Sequence, residues 1–201
     1  MQPSPRFDRP RGTEPFAFLR GFLRNPAQVG SVIPSSPQLE QRLVQCARVR
    51  EARTVVELGP GTGGTTRALL AAMPPGAVLL AIELDPDFFA GLQHAVGDER
   101  LLLEQGSAEK LGDLLEEHGL PAPDAIVSGI PFSTMPAPVS RRIAACIAKV
   151  LRPGGRFVAY QVRAHVAGFL APHLGPPEKQ WEVVNVPPVR VFTWVKRQGP
   201  G

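Results

Sequence analysis

Cysteine, histidine and tyrosine are scarce in this chain of 201 residues, and each scarcity removes a class of chemistry. The two cysteines, Cys46 and Cys146, lie far apart with no paired spacing, which argues against a disulfide framework or a thiolate metal site. His94, His118, His165 and His173 show no HxxxH or HxH spacing, so no metal is expected. No apolar run reaches the ~18 residues that cross a bilayer. The opening Met1-Gln2-Pro3-Ser4-Pro5-Arg6 also lacks the apolar core of a secretory signal, so a cytoplasmic protein is expected. What remains is an ordinary globular composition, 43% apolar and 20% charged. The length fits one hydrophobic core and hardly two complete domains.

Positive charge is unevenly placed. Residues 1–52 hold eight arginines against the acids Asp8, Glu14, Glu40 and Glu51, whereas from residue 53 onward basic and acidic side chains balance. A basic segment beside a neutral body suits an anionic partner, a membrane surface or nucleic acid, or serves as a solubilising arm.

From residue 53, short apolar runs at 53–58, 77–83, 100–104, 124–128 and 156–162 read as buried strands. Stretches with helical spacing at 64–73, 86–96, 108–118 and 138–151 lie between them. That alternation predicts a parallel sheet with right-handed crossovers. Runs 181–186 and 189–195, joined by Pro187-Pro188, are too close for a crossover and predict an antiparallel hairpin at one edge, making seven strands.

The first 52 residues form an extension that precedes the first strand. Residues 37–48 predict a helix with Ser35 or Ser36 as N-cap and Pro37 in the first turn. Residues 14–24 form an amphipathic helix in which Phe16, Phe18, Leu19, Phe22 and Leu23 share one face opposite Arg20 and Arg24. Such a helix lies on lipid or packs on the protein as a lid.

Chemistry concentrates where the first strand meets a glycine-rich turn, Glu57-Leu58-Gly59-Pro60-Gly61-Thr62-Gly63-Gly64. The run formally satisfies GxGxxG, a dinucleotide signature. A carboxylate two residues before the first glycine would oppose a pyrophosphate there. It favours instead a ligand that carries an ammonium and a sulfonium, which describes S-adenosyl-L-methionine. Glu83, closing the second strand and followed by Leu84, is placed to accept hydrogen bonds from ribose hydroxyls. Ser107 and Ala108 follow the third strand where an adenine would lie, although Ser107 serves equally as a helix N-cap. The segment Ser128-Gly129-Ile130-Pro131-Phe132-Ser133-Thr134-Met135-Pro136 follows the fourth strand and faces the same crevice, the place for a methyl acceptor.

Through Glu57-x-Gly59-x-Gly61-x-Gly63 and Glu83 the chain resembles the class I S-adenosylmethionine-dependent methyltransferases. More narrowly it is similar to the bacterial phospholipid N-methyltransferases, relatives of the ribosomal RNA adenine dimethylases. That likeness rests on Gly30-Ser31-Val32-Ile33-Pro34-Ser35-Ser36, on Val127 to Pro131 with Ser133 to Pro136, and on Asn185-Val186-Pro187-Pro188-Val189-Arg190-Val191. The resemblance implies a Rossmann-like α/β fold, with a seven-stranded methyltransferase sheet, the C-terminal hairpin and an N-terminal helical extension. Residues 1–52 would supply the lipid-facing helix and a helix covering the cofactor, with Ser36 at the cofactor; residues 53–201 would form the catalytic domain. The implied activity is methylation of phosphatidylethanolamine toward phosphatidylcholine by a peripheral enzyme on the inner face of the cytoplasmic membrane.

Two departures from these families bear on the acceptor. Ser107 stands where family members often carry Asp, and Gly129-Ile130-Pro131-Phe132 replaces the Asn-Leu-Pro-Tyr or Phe of the adenine dimethylases. Loss of that amide, and of the appended helical domain of the dimethylases, favours lipid over nucleic acid.

Methyl transfer itself is an in-line attack by an amine lone pair, helped mainly by placement of the reacting atoms in a shielded cleft. Tyr160 and the carbonyls of Ser128, Gly129 and Ile130, beside Pro131, are the candidates to take the amine proton or orient the amine, with core packing the plain alternative for Tyr160. Arg163 and Arg190 are candidates for the lipid phosphate, or simply solvated arginines. An adenine or small-molecule amine methyltransferase is the second enzymatic reading. A cofactor-binding regulatory module without catalysis is the non-enzymatic one.

Overall fold

A computed structural model describes residues 35–185 and 188–198. The amphipathic stretch 14–24, expected as a lid or a lipid-bound helix, and the rest of the chain before residue 35 fall outside the described residues. Seven strands, β1 (Thr54–Leu58), β2 (Val78–Glu83), β3 (Leu101–Gln105), β4 (Ala125–Ser128), β5 (Arg156–Gln161), β6 (Glu178–Glu182) and β7 (Val189–Val195), make one sheet in the order β3-β2-β1-β4-β5-β7-β6. The first five run parallel, and β7 inserts antiparallel between β5 and β6. This is the expected α/β sheet with its antiparallel C-terminal hairpin.

Helices cover both faces, which is why β1 reads as an unbroken buried run rather than an alternating one. Helices α1 (Pro37–Cys46), α2 (Gly64–Ala72) and α3 (Pro86–Ala95) precede or connect β1 to β3, while α4 (Leu111–Glu117), α5 (Ala137–Val150) and α6 (His165–Leu174) follow β3, β4 and β5. One core layer joins Leu39, Leu43, Val55, Leu69, Leu79, Val127 and Val158. The other joins Val56, Ile126, Ile143, Ile147, Phe157, Leu170 and Trp194. Neighbouring strand positions such as Val55 and Val56 enter opposite layers, as the two-residue period of a strand requires.

Helix α1 begins as expected. Ser36 is extended, its Oγ accepts from the Leu39 amide at 3.2 Å, and Pro37 occupies the first turn. Leu39 and Leu43 are fully buried with β1, so residues 35–52 share the core of the sheet. Two further contacts fix this helix to the far end of the chain: Arg42 Nε donates to Glu182 at 2.7 Å, and the Ser36 amide donates to Asn185 Oδ1 at 2.9 Å.

The structure departs from the sequence expectations in two elements. Helix α6 was not anticipated, because Gly168 and Pro172 weaken its local signal; it forms because Val166 and Leu170, one turn apart, are both fully buried. Strand β6 starts at Glu178, three residues before the expected run, and pairs Glu178 with Thr193 and Glu182 with Val189. Its charged opening residues suit the outermost strand of a sheet, where charge discourages further pairing.

Candidate active site

The strand order reverses about β1, which has β2 on one side and β4 on the other. A crevice opens at such a point beyond the carboxyl ends of the strands. The glycine turn fills its floor. Gly59, Gly61 and Gly63 all have positive φ, at 72°, 56° and 80°. Gly63 is the left-handed residue that starts α2, a conformation other residues adopt only at a cost. Among the described residues nothing lies within 4 Å of where a β-carbon on Gly61 would be, so that side of the turn has room for a ligand.

Two strand-end carboxylates flank this turn, with distinct surroundings. Glu83 Oε2 accepts from the Gly61 amide at 2.9 Å and Glu83 Oε1 from the Asp85 amide at 2.9 Å. Burial nonetheless pushes its carboxyl above the ordinary range, those amide bonds opposing the rise. Glu57 lies below the turn, facing α2, where its Oε2 accepts from Thr66 Oγ1 at 2.7 Å. Burial pushes Glu57 up to about 8, the Thr66 bond opposes this, and the nearby Glu83 and Glu40 carboxylates add to it.

Glu40 is the member that sequence reasoning missed. It sits on α1, and its Oε1 would lie 2.5 Å from a β-carbon on Gly64, which places it over the first turn of α2. Burial raises its carboxyl and the Arg67 guanidinium lowers it. No local spacing announces this position, because α1 reaches the glycine turn only through tertiary packing.

The acceptor side is built by β4 and β5. A β-carbon on Gly129 would stand 2.6 Å from Tyr160 Oη and 2.9 Å from the Gly59 carbonyl oxygen, so glycine is what lets the two strand ends approach. Burial and the Glu57 carboxyl raise the Tyr160 hydroxyl above its ordinary value, while hydrogen bonds with the Thr65 and Ser35 side chains hold it back. A phenol so placed stays protonated at neutral pH. It shares hydrogen bonds with the Ser35 and Thr65 side chains.

The loop after β4 is held from within and from β5. Ser128 Oγ accepts from the Ile130 amide at 3.3 Å, and Thr134 Oγ1 donates to the Pro131 carbonyl at 2.9 Å. Phe132 is buried beside Phe169, with ring centroids 6.2 Å apart. Gln161 Nε2 donates to the Ile130 carbonyl at 2.6 Å, and the Phe132 amide donates to the same oxygen, so that carbonyl is already engaged. Gln161 is a second residue that sequence reasoning missed; a polar side chain ending an apolar strand was the available signal.

The remaining expected residues are spread around the same rim. Ser107 is buried, and its Oγ accepts from the Glu109 amide at 3.2 Å, which realises the capping role. Ala108 behind it is buried too. Arg163 is exposed just beyond β5, and the Arg190 guanidinium stacks 4.3 Å from the centre of the Trp181 ring. Among the described residues no group of three or more His, Cys, Asp or Glu is arranged to hold a metal ion.

A family model described as a methyltransferase domain matches residues 55–155, from β1 to the turn before β5. This chain is a class I S-adenosylmethionine-dependent methyltransferase. The chain is 32% identical over 143 residues to an ornithine lipid N-methyltransferase of Singulisphaera acidiphila, covering 71% of this chain and 74% of that enzyme. It is also 32% identical over 136 residues to the ribosomal RNA small subunit methyltransferase A of a Synechococcus strain, covering 67% of this chain and 48% of that enzyme, so it spans about half of that relative's length. Among solved structures, the O-methyltransferase TomG of Streptomyces achromogenes, in complex with S-adenosylmethionine, superposes with a TM-score of 0.65 at 20% identity, over 94% of this chain and 92% of that one. S-adenosylmethionine is therefore the cofactor of this methyltransferase, and the open side of Gly61 with Glu83 beside it fits an adenosyl ribose.

Proposed function

We propose that this methyltransferase transfers methyl groups to the primary amine of a membrane lipid headgroup, taking phosphatidylethanolamine toward phosphatidylcholine, at a membrane surface. The observation that carries this reading is the similarity to a lipid N-methyltransferase over 71% of the chain. The acceptor loop agrees with it: Gly129-Ile130-Pro131-Phe132 offers no side-chain amide to grip a planar base.

The bound cofactor supplies an electrophilic methyl on a sulfonium. Glu83, with Leu84 after it, would hold the ribose hydroxyls, and the turn Gly59-Pro60-Gly61-Thr62-Gly63, with Glu57 beneath, would receive the cationic methionine end. Ser36 at the start of α1 would close the crevice, and Ser107 and Ala108 would border the adenine side. Gly129 and Tyr160 wall the acceptor side, while Gln161 fixes the Ile130–Pro131 bend so that the amine enters along one line. The ammonium of the headgroup gives its proton to water before it enters, since the Tyr160 phenol does not take it. Arg163 and Arg190 at the rim would meet the lipid phosphate.

The test offers radiolabelled S-adenosylmethionine with phosphatidylethanolamine vesicles, ornithine lipid vesicles, structured RNA or no acceptor. Label is expected in the lipid extract with phosphatidylethanolamine. Label in RNA would replace the reading by an adenine methyltransferase, which the ribosomal RNA relative supports, and cofactor binding without any transfer would leave a regulatory module.

A further inference from the structure

One cluster of exposed apolar side chains is not used by the crevice, yet it stands on the crevice's own rim. Trp181 is 55% exposed, Val183 70%, Val184 56% and Val162 42%. Their placement follows from strand register. Gln161 of β5 pairs with Arg190 of β7, which pairs with Trp181 of β6, a single rung across three strands. Strands lie about 4.8 Å apart, so Trp181 is roughly 10 Å from Gln161, the side chain bonded to the acceptor loop. Val162 follows Gln161, and Val183 and Val184 follow β6; β5 and β6 each pair antiparallel with β7, so both end at this same edge.

Among the described residues, Arg163 and Arg190 bring positive charge to this edge. Arg163 is exposed next to Val162, and Arg190 lies over the Trp181 ring. The acid nearest to these side chains in sequence, Glu182, is buried and tied to Arg42 at 2.7 Å. A tryptophan backed by arginine, with three exposed valines at the ends of the same strands, matches the chemistry of a bilayer interface: the ring and valines enter the headgroup boundary and the guanidiniums meet phosphates.

We propose that the tip formed by Trp181, Val183, Val184 and Val162, with Arg163 and Arg190, docks this enzyme on an anionic lipid bilayer. Docking there turns the carboxyl ends of β4 and β5, and so the acceptor loop, toward the headgroups. The proposal rests on the lipid reading of the function but concerns a different part of the molecule. It is independent of the basic segment before residue 35.

The chain carries a convenient reporter, because its two tryptophans differ sharply. Trp181 is exposed, whereas Trp194 is 1% exposed inside the core. The full chain is mixed with vesicles of phosphatidylglycerol and phosphatidylcholine, or of phosphatidylcholine alone, and tryptophan emission is followed with and without lipids brominated on the acyl chain. The proposal expects a blue shift and quenching with the anionic vesicles, neither with the neutral ones. Val183→Asp combined with Val184→Asp is expected to weaken partitioning at least about tenfold, while methyl transfer to a detergent-dispersed aminolipid is unchanged.

Three results would overturn the proposal. Vesicle binding with unaltered tryptophan emission would assign the contact elsewhere. Protection of Trp181 from acrylamide without vesicles would mean that another segment of the chain covers the tip. Concentration-dependent dimerisation that protects Trp181 would mean that a second copy does. Unsubstituted enzyme that methylates dispersed lipid yet does not bind the anionic vesicles would remove the surface alone, and docking without transfer to any lipid would remove the functional reading alone.

Discussion

The Glu57 carboxyl offers the sharpest test of how a buried acid helps to bind a cation. Without ligand it is pushed up to about 8 from an ordinary value near 4.5, so at neutral pH it is mostly protonated. That displacement corresponds to on the order of 5 kcal/mol, its largest cause the burial of charge in a site where Thr66 Oγ1 donates the side-chain hydrogen bond. A ligand that brings an ammonium to the glycine turn restores part of that solvation and favours the ionised form. Binding below pH 8 should then expel a proton, and affinity should rise with pH by up to about tenfold per unit before levelling off. Calorimetric titration with S-adenosylmethionine at pH 6, 7 and 8, in phosphate and in Tris, reads the released proton as a difference in enthalpy between buffers. Glu57→Gln keeps the volume and an acceptor for Thr66, and should remove the slope.

The same group fixes the sign of a stability effect: its contribution is fully present below about 4.5 and is lost as pH rises through about 8. The ligand-free enzyme should therefore lose thermal stability across that window, and the Gln variant should lose less. Identical enthalpies in both buffers, together with a pH-independent affinity for the wild type, would refute the reasoning.

Two other substitutions test the crevice. Glu83→Ala removes the acceptor of the Gly61 and Asp85 amides and the group proposed to hold the ribose hydroxyls, and affinity for S-adenosylmethionine should fall about 10- to 100-fold by calorimetry, the loss of charge-assisted bonds of about 1.5–3 kcal/mol. Gly129→Ala forces a β-carbon against the Gly59 carbonyl oxygen, a backbone atom that cannot turn aside as the Tyr160 hydroxyl can. Overpacking of this kind costs about 1–3 kcal/mol. For a chain of this size that lowers the melting temperature by roughly 2–12 °C, read by circular dichroism; an unchanged midpoint would show that β1 and β4 have room to spare.

The parallel sheet, the hairpin and the glycine turn were legible because each is written locally: buried strands as apolar runs, the turn as three glycines that adopt positive φ. The start of α1 was legible for the same reason, since a serine before a proline declares a helix N-terminus. Helix α6 was hidden because its formation depends on the two buried positions Val166 and Leu170, while Gly168 and Pro172 dominate the local impression. At the site, Glu57 and Glu83 were found at their strand ends, but their states were not. Sequence suggested two ionised carboxylates; burial raises both, and only packing reveals that Glu40 joins them. Tyr160 was legible as a strand-end residue beside the acceptor loop, while its raised hydroxyl depends on burial and on Glu57 across the sheet.

The most distant of the sequence segments that drew attention are joined by one hydrogen bond. Ser36, in the segment before α1, donates its amide to Asn185, in the segment before β7. Arg42 and Glu182 add an ion pair between the same two elements, and the Glu182 side chain is nearly inaccessible, so the pair is shielded from water on one side. Helix α1 therefore carries two duties that pull on each other. Its first residues and Glu40 lean on the glycine turn and the helix after it, and its outer face is fastened to the hairpin whose tip is proposed to meet lipid. A displacement of that tip by a bilayer would be felt at Ser36, and through Ser35 and Thr65, whose hydroxyls lie 3.3 Å apart, beside Tyr160 on the acceptor wall. Helix α1 thus joins the hairpin, through Ser36 and Arg42, to the wall beside Tyr160, through Ser35 and Thr65.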